Sequence, residues 1–368
     1  MKARHIPLIL GLSAMLIPQT DSIGQGAGAA NRLRVAPGRL RSKLQTWWKF
    51  KTGAPVVSAA AVVGGRVFIG STDGFVYALG FRDGKKLWSF KTGAEVEAAP
   101  LVIGNSVIIG SSDGFLYALD AARGTPRWKY KTDDKILGAA NYAPAPGGKG
   151  TWILVGSYDN KLHCVNAATG KQVWTYETDN YVNGGPAVSG NRVIFGGCDG
   201  LLHVVNLANG KKVRSIEVGE YVAGSATLDG KIAYLGHYGN EVISANVDTG
   251  QVLWRYKERR FPYFASPAVA GDRLVIGGRD KRVHCLRRSD GGEIWEFRTR
   301  GKVDSSAIIC DGKVVVGSED GKLYILGLKD GQELWSYEIG TPIISSPTVV
   351  NGTVIIGADD GYVYAFKS

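Results

Sequence analysis

Three polar residues stand at equivalent positions of a repeated sequence and could together ligate a cation. Glu97, Asn183 and Asp304 each lie where an apolar segment begins. Carboxylate and amide oxygens are the ligands that calcium prefers in proteins. The aligned positions of the other repeats are Val57, Leu137, Ala223, Phe264 and Ile344. The three polar residues are channel candidates for a cation, but we predict neither a bound metal nor a catalytic residue.

Other chemistry finds little support in the sequence. It contains no G-x-S-x-G, no H-E-x-x-H and no Cys/His spacing typical of zinc sites. His163, His203 and His284 occupy a register that other repeats fill with tyrosine. Because histidine alternates with another aromatic ring at this position, we expect the three histidines to pack within the fold rather than to catalyse a reaction.

A cluster of aromatic and basic residues is the best candidate for a binding site. It falls in three consecutive loops, "ETDNYVNG", "EVGEYVAG" and "KERRFPYFAS". Aromatic residues next to arginine are typical of binding hot spots. We therefore predict a partner-binding rim that consists of Tyr181, Tyr221, Arg259, Arg260, Phe261, Tyr263 and Phe264. The alternative is that these residues only cap the ends of the structural units.

These residues are carried by a repeat of about 40 residues. Each repeat ends on an anchor residue, and the tryptophan anchors are Trp48, Trp88, Trp128, Trp174, Trp254, Trp295 and Trp335. One repeat has Arg214 in place of the tryptophan, and a glycine precedes every anchor after Trp48 by four residues. The tryptophans are predicted to fill the space between neighbouring units, so we interpret them as structural anchors.

Each repeat contains four short segments in which apolar and polar residues alternate, separated by turn sequences such as Asp-Gly. Four antiparallel strands in 40 residues are typical of a propeller blade. The last repeat has only three strands, and the segment around Trp48 can supply the fourth. The sequence therefore predicts an all-β, eight-bladed β-propeller over residues 44–368, closed by its N-terminal strand.

The segment "ALDAARGTPRW" resembles the tryptophan-docking repeat of the pyrroloquinoline-quinone (PQQ) propellers. That superfamily includes PQQ-dependent alcohol dehydrogenases and the non-catalytic BamB-type propeller of outer-membrane protein assembly. The resemblance covers residues 43–368. It implies either a scaffold that docks a protein partner through loops on one face, or a quinoprotein that holds PQQ and calcium near the axis.

The N-terminal region predicts export. Lys2 and Arg4 precede an apolar run, and Ala-Gly-Ala at 27–29 offers a cleavage site, so residues 1–29 are predicted to be a cleaved signal peptide. No cysteine precedes Cys164, so no lipid anchor is expected, and the apolar run is too short for a membrane span. Residues 30–43 are predicted to be a solvated basic linker, with contact to an anionic polymer or surface as the alternative.

Charge and cysteine content restrict the partners further. The net charge is +11, but residues 22–72 contain eight basic residues and no acidic one. Because the excess is confined to one segment, we do not expect nucleic-acid binding. Cys164, Cys198, Cys285 and Cys310 fall in different repeats, which favours free thiols, although the sequence does not settle their redox state.

These observations together predict a periplasmic or secreted, monomeric, non-catalytic propeller. Its partner would be an envelope protein or an anionic polymer, and its most specific role would be outer-membrane protein assembly. We expect no cofactor. The alternative is a small dehydrogenase dependent on PQQ and calcium.

Overall fold

The structure, a computed structural model, describes residues 33–368 except Lys149 and Arg259. It contains strands and no helix in this part of the chain. Thirty-two strands form eight antiparallel sheets of four strands, and one further short strand joins one of them. The predicted eight-bladed, all-β propeller is therefore confirmed. The predicted signal peptide, residues 1–29, lies outside the described residues.

In blades 1 to 7 the strands run in chain order from the axis outwards. Blade 1 has β3 (Ala61–Val63), β4 (Arg66–Gly70), β5 (Phe75–Gly80) and β6 (Lys86–Lys91). Blade 2 has β7 (Leu101–Ile103), β8 (Ser106–Gly110), β9 (Phe115–Asp120) and β10 (Pro126–Lys131). Blade 3 has β11 (Asn141–Pro144), β12 (Thr151–Gly156), β13 (Lys161–Asn166) and β14 (Gln172–Glu177). Blade 4 has β15 (Ala187–Ser189), β16 (Arg192–Gly196), β17 (Leu201–Asn206) and β18 (Lys212–Glu217).

The second half of the ring repeats this order. Blade 5 has β19 (Thr227–Asp229), β20 (Ile232–Gly236), β21 (Val242–Asn246) and β22 (Val252–Tyr256). Blade 6 has β23 (Ala268–Ala270), β24 (Arg273–Gly278), β25 (Arg282–Arg287) and β26 (Glu293–Arg298). Blade 7 has β27 (Ile308–Cys310), β28 (Lys313–Gly317), β29 (Lys322–Gly327) and β30 (Glu333–Glu338). Blade 8 has β31 (Thr348–Val350), β32 (Thr353–Gly357), β33 (Tyr362–Lys367) and, on its outside, β2 (Gln45–Lys51).

The ring closes through β2, as the incomplete last repeat predicts. This strand pairs antiparallel with β33, and Trp48 lies opposite Ala365. Blade 8 therefore takes its outer strand from the beginning of the propeller sequence and its other three strands from the end.

The tryptophans fill the seams between blades, as predicted. The indole N–H of Trp88 in blade 1 donates a hydrogen bond to the carbonyl of Ala121 in blade 2, 3.1 Å away. Its ring lies against Gly124 of the same turn, which adopts φ 74°. A side chain there would need both a left-handed backbone and the space that the indole already fills. In the seam of Arg214, the guanidinium donates instead to the carbonyls of Asp248 and Thr249, at 3.0 and 2.9 Å.

The segment before the propeller differs from the sequence prediction. Residues 30–43 were expected to form a solvated linker, but its described part packs against the ring. Strand β1 (Val35–Ala36) runs parallel to β27, the innermost strand of blade 7. Leu40 is buried, and its N–H donates to the side chain of Asp311. The segment is held by backbone hydrogen bonds and apolar contacts, which a charge pattern alone does not reveal.

The four cysteines are free. Cys164, Cys285 and Cys310 are buried, and Cys198 is half-buried. Burial raises the pKa of the Cys285 thiol to about 11. The buried thiols are therefore protonated near neutral pH and behave as small apolar side chains.

Candidate functional site

The loops that lead into the innermost strands all open on one face of the ring, here called the upper face. A recurring backbone hydrogen bond fixes each loop to the turn between the second and third strands of its own blade. Tyr158 N–H donates to Lys135 in blade 3, and Tyr238 N–H donates to Tyr221 in blade 5, at 3.0 and 2.9 Å. The side chains of the loops and of the turns therefore share one surface.

Five aromatic rings lie on this face across blades 3 to 6, in one group of two and one group of three. We call Tyr158, Tyr181, Tyr221, Tyr238 and Phe264 the aromatic arc. Tyr158 stacks on Tyr181 with 4.6 Å between ring centroids. Tyr238 meets Tyr221 edge to face at 6.1 Å and Phe264 at 4.3 Å. Each ring is oriented by its neighbour, so the arc is a preformed surface and not a set of separate side chains.

The middle of the arc is open to solvent. Tyr181, Tyr221 and Tyr238 are 44%, 48% and 47% exposed. Phe261, in the loop that leads into blade 6, is 50% exposed. These four are the only exposed aromatic side chains in the described part of the chain. Because such rings are costly to leave in water, their collection on one face makes that face the candidate contact surface.

A cation lies at each end of the arc. The Lys135 ammonium lies 4.7 Å from the ring centroid of Tyr158. The Arg279 guanidinium lies 3.7 Å from that of Phe264 and also binds both carboxylate oxygens of Asp304, at 2.7 and 3.0 Å. Burial raises the pKa of Tyr158 to about 12, so its hydroxyl is neutral. The arc thus presents apolar rings and hydroxyls, with the positive charge of Lys135 at one end and the ion pair of Arg279 and Asp304 at the other.

The residues predicted for the partner-binding rim have different surroundings in the structure. Tyr181, Tyr221 and Phe264 belong to the arc, and Arg260 and Phe261 are exposed beside it. Arg259 lies outside the described residues. Tyr263 is not a rim residue, because it is 1% exposed and its ring packs edge to face against His284.

Comparison of the repeats explains why Tyr263 is buried and why Tyr158 and Tyr238 belong to the arc. The position of Tyr263 is occupied by buried Val222 and Val303 in the adjacent repeats. Tyr158 and Tyr238 stand at the turn position where blades 1, 2 and 4 have the small residues Thr72, Ser112 and Cys198. Alignment of the repeats would have corrected the first assignment and revealed the other two.

The polar residues predicted at the axis lie in separate blades. Glu97 is in blade 2, Asn183 in blade 4 and Asp304 in blade 7, where its carboxylate is paired with Arg279. Burial, and then the charge of Glu95, raises the pKa of Glu97. One group of three potential metal ligands occurs among residues 33–368 as described, namely His284, Glu293 and Glu296 in blade 6. It lies within that blade and not at the axis.

Three histidines have the packing role that the sequence predicts. His163 Nε2 is hydrogen-bonded to Asp159 at 3.0 Å, and its Nδ1 lies 2.9 Å from the hydroxyl of Tyr130 in the preceding blade. In blade 2 the Tyr117 hydroxyl donates to Asp113 in the same position, at 2.7 Å. Histidine therefore replaces tyrosine as the partner of the turn aspartate. The additional contact between His163 and Tyr130 joins neighbouring blades.

An axial cavity of about 200 Å³ lies below the upper face. Val57, Glu97, Leu137 and Asn183 border it on the side of the upper face. Two residues further along the chain in each blade, the wall of the cavity is made of alanine or glycine in blades 1 to 4 and of serine in blades 5 to 8. Arg34, from the segment before β1, also lines it.

Comparison with known proteins identifies the same architecture. Solved structures that match include BamB from Moraxella catarrhalis, with TM-score 0.74 and 20% identity over 89% of this chain and 100% of that chain. A computationally designed protein, Ika8, matches with TM-score 0.76 and 18% identity over 86% and 98%. A europium-containing methanol dehydrogenase matches with TM-score 0.79 and 14% identity over 94% and 99%. These likenesses show the fold.

Sequence comparison gives the family. No curated protein sequence matches the chain. No helix in the described ranges has the length and apolar character needed to cross a membrane. The family model described as outer membrane protein assembly factor BamB matches residues 38–141, 138–262 and 262–368. Since these segments span the whole propeller, the chain belongs to the family described as outer membrane protein assembly factor BamB.

Proposed function

We propose that this protein is an exported, non-catalytic scaffold that docks a polypeptide partner on its aromatic arc during outer-membrane protein assembly. The observation that carries the proposal is the exposed arc itself. It combines tyrosine and phenylalanine rings, the residues enriched in protein interfaces, with the Lys135 ammonium at one end and the ion pair of Arg279 and Asp304 at the other. The description of the matching family supports an assembly role, and the predicted signal peptide supports a place in the cell envelope.

The chemistry of the arc also suggests what the partner presents. Stacked rings with free hydroxyls bind apolar side chains and backbone carbonyls, and Lys135 at the end of the arc favours a carboxylate. We therefore infer an extended segment with apolar residues and an acidic residue beside them. A polyanion would instead require a dense field of basic residues, and Arg279 is already neutralised by Asp304.

The dehydrogenase alternative has weaker support. Of its three candidate ligands, Asp304 is bound by Arg279, which leaves Glu97 and Asn183 at the axial cavity. The axial cavity of about 200 Å³ is small for an organic cofactor, and no tryptophan lines it. The methanol dehydrogenase among the structural matches, at 14% identity, supports only a common fold.

The test compares two double variants of equal exposure. Tyr181→Ser/Tyr221→Ser removes the two loop tyrosines of the arc, and Leu87→Ser/Leu253→Ser removes exposed leucines from outer strands. Immobilised wild-type protein and the leucine variant are expected to capture an outer-membrane assembly protein from solubilised envelopes. Because central aromatic residues dominate binding, the tyrosine variant should retain less than about one tenth as much.

Two results would contradict the proposal. Equal capture by the tyrosine variant would remove the arc from the interface. Alcohol-dependent dye reduction after reconstitution with PQQ and calcium would instead favour the dehydrogenase.

A further inference from the structure

The axial cavity has a ring of serine hydroxyls on one side. Ser225, Ser266, Ser306 and Ser346 come from the innermost segments of four consecutive blades and all line the cavity. Each hydroxyl oxygen accepts a hydrogen bond from a backbone N–H of the preceding blade, with distances between 2.8 and 3.0 Å. No acceptor for the four hydroxyl protons occurs in the described chain. A hydroxyl that already accepts one bond is a better donor, so this side of the cavity offers four donors.

A positive charge lies at the same cavity. The Arg34 side chain reaches it from the segment before β1, and its Nε and Nη2 donate to the carbonyls of Ala307 and Ser306, both at 2.8 Å. Its Nη1 has no hydrogen-bond partner in residues 33–368 as described. No described carboxylate lies within ion-pair distance, and burial alone lowers the pKa of Arg34 to about 10. The guanidinium is therefore a charge without a counter-ion.

The backbone holds Arg34 in this position. Val269 N–H donates to the carbonyl of Leu33, and Ile309 N–H donates to that of Arg34, both at 3.0 Å. Arg34 itself adopts φ 55°, in the left-handed region that residues with a side chain rarely occupy. Strained backbone of this kind persists where the surrounding structure fixes it, often at ligand sites.

We propose that the axial cavity binds a small oxyanion, a phosphate or a carboxylate, between the Arg34 guanidinium and the serine hydroxyls. A half-buried cation without a counter-ion among the described residues gains from an anionic partner, and an oxyanion would supply both the missing charge and acceptors for the free donors. The volume of about 200 Å³ admits a small ion or a small organic acid rather than a large cofactor. The alanine and glycine side of the wall can contact the carbon atoms of an organic acid. This site does not depend on the aromatic arc.

The test measures thermal stability of the full chain at constant ionic strength, with inorganic phosphate or acetate replacing chloride. A ligand that binds only the folded state raises the melting temperature in a saturable way. We expect such a rise with at least one of the two anions, and the arm that responds distinguishes phosphate from carboxylate. If neither anion raises the melting temperature more than chloride does, the proposal is wrong.

Two pairs of variants locate the site. Arg34→Gln should abolish the response, whereas Arg39→Gln removes an exposed charge from the same segment and should keep it. Should Arg34→Gln fail to fold, Ser266→Ala/Ser306→Ala decides, and we expect an apparent Kd at least about tenfold weaker from the lost donors. Its control is Ser305→Ala, a buried serine with two hydrogen bonds that does not line the cavity. An unchanged Kd in the double serine variant, or a full response in Arg34→Gln, would overturn the assignment.

Discussion

The contact between Trp88 and Gly124 of the next blade permits a quantitative prediction for Gly124→Ala. Gly124 has φ 74°, and a methyl carbon on it would lie 2.6 Å from the Cδ2 of Trp88. Left-handed backbone costs a residue with a side chain about 1–2 kcal/mol. Forcing a methyl group into a packed seam costs about 1–3 kcal/mol more. We therefore expect the free energy of unfolding to fall by about 2–5 kcal/mol.

Two other glycines separate these contributions. Gly104 has φ 55°, and no other atom lies within 4 Å of a Cβ placed there, so Gly104→Ala should show the backbone cost alone. Gly250 has φ 82° and faces the flexible Cδ of Arg214 at 2.8 Å, so Gly250→Ala should give an intermediate loss. The measurement is the urea midpoint of each variant, since the slopes should be unchanged. Equal losses in Gly124→Ala and Gly104→Ala would refute the close packing of the seam.

Two further predictions follow from the seams. Arg214→Trp should leave the urea midpoint unchanged or slightly higher, because Gly250 already provides the flat surface on which an indole rests. A fall of more than about 2 kcal/mol in the free energy of unfolding would show that the hydrogen bonds from Arg214 to two carbonyls are essential. Burial lowers the pKa of His284, but hydrogen bonds to Asp280 and Glu293 outweigh it and raise that pKa above its ordinary value of 6.5. Its contribution to stability is therefore present below about pH 6.5 and lost as pH rises through the folded pKa. His284→Tyr, which restores the residue type of other blades, should flatten the fall of the urea midpoint between pH 6 and 9, and identical slopes would contradict this.

The repeat made most of the fold predictable. The regular anchors fixed the number of blades, and the isolated segment around Trp48 identified the closing strand, because both depend on local alternation and on a period. The packing role of His163 followed from its register. These features are encoded within one repeat and reinforced in the others.

The site depended on contacts between blades, and its prediction was less complete. Arg34 was assigned to a solvated linker, since nothing in a basic sequence indicates that its partners are the carbonyls of Ser306 and Ala307. The pair of Arg279 and Asp304 joins adjacent blades, and the pattern within one repeat gives no sign of this pairing. Tyr238 belongs to the arc because its turn, between the second and third strands of blade 5, lies on the same face as the loop that carries Tyr221.

Closure by β2 also determines the order in which the molecule can be completed. Gln45 pairs with Lys367 and Lys51 with Tyr362, so the first propeller strand to be synthesised is paired by the last. Contacts this distant in sequence form slowly, because the chain between them must first be ordered. Until then both edges of the unfinished ring can pair with another chain. The interval between synthesis of the first and last strands is thus the period in which this chain is most exposed to aggregation, and a chaperone that covers residues 45–51 would protect it.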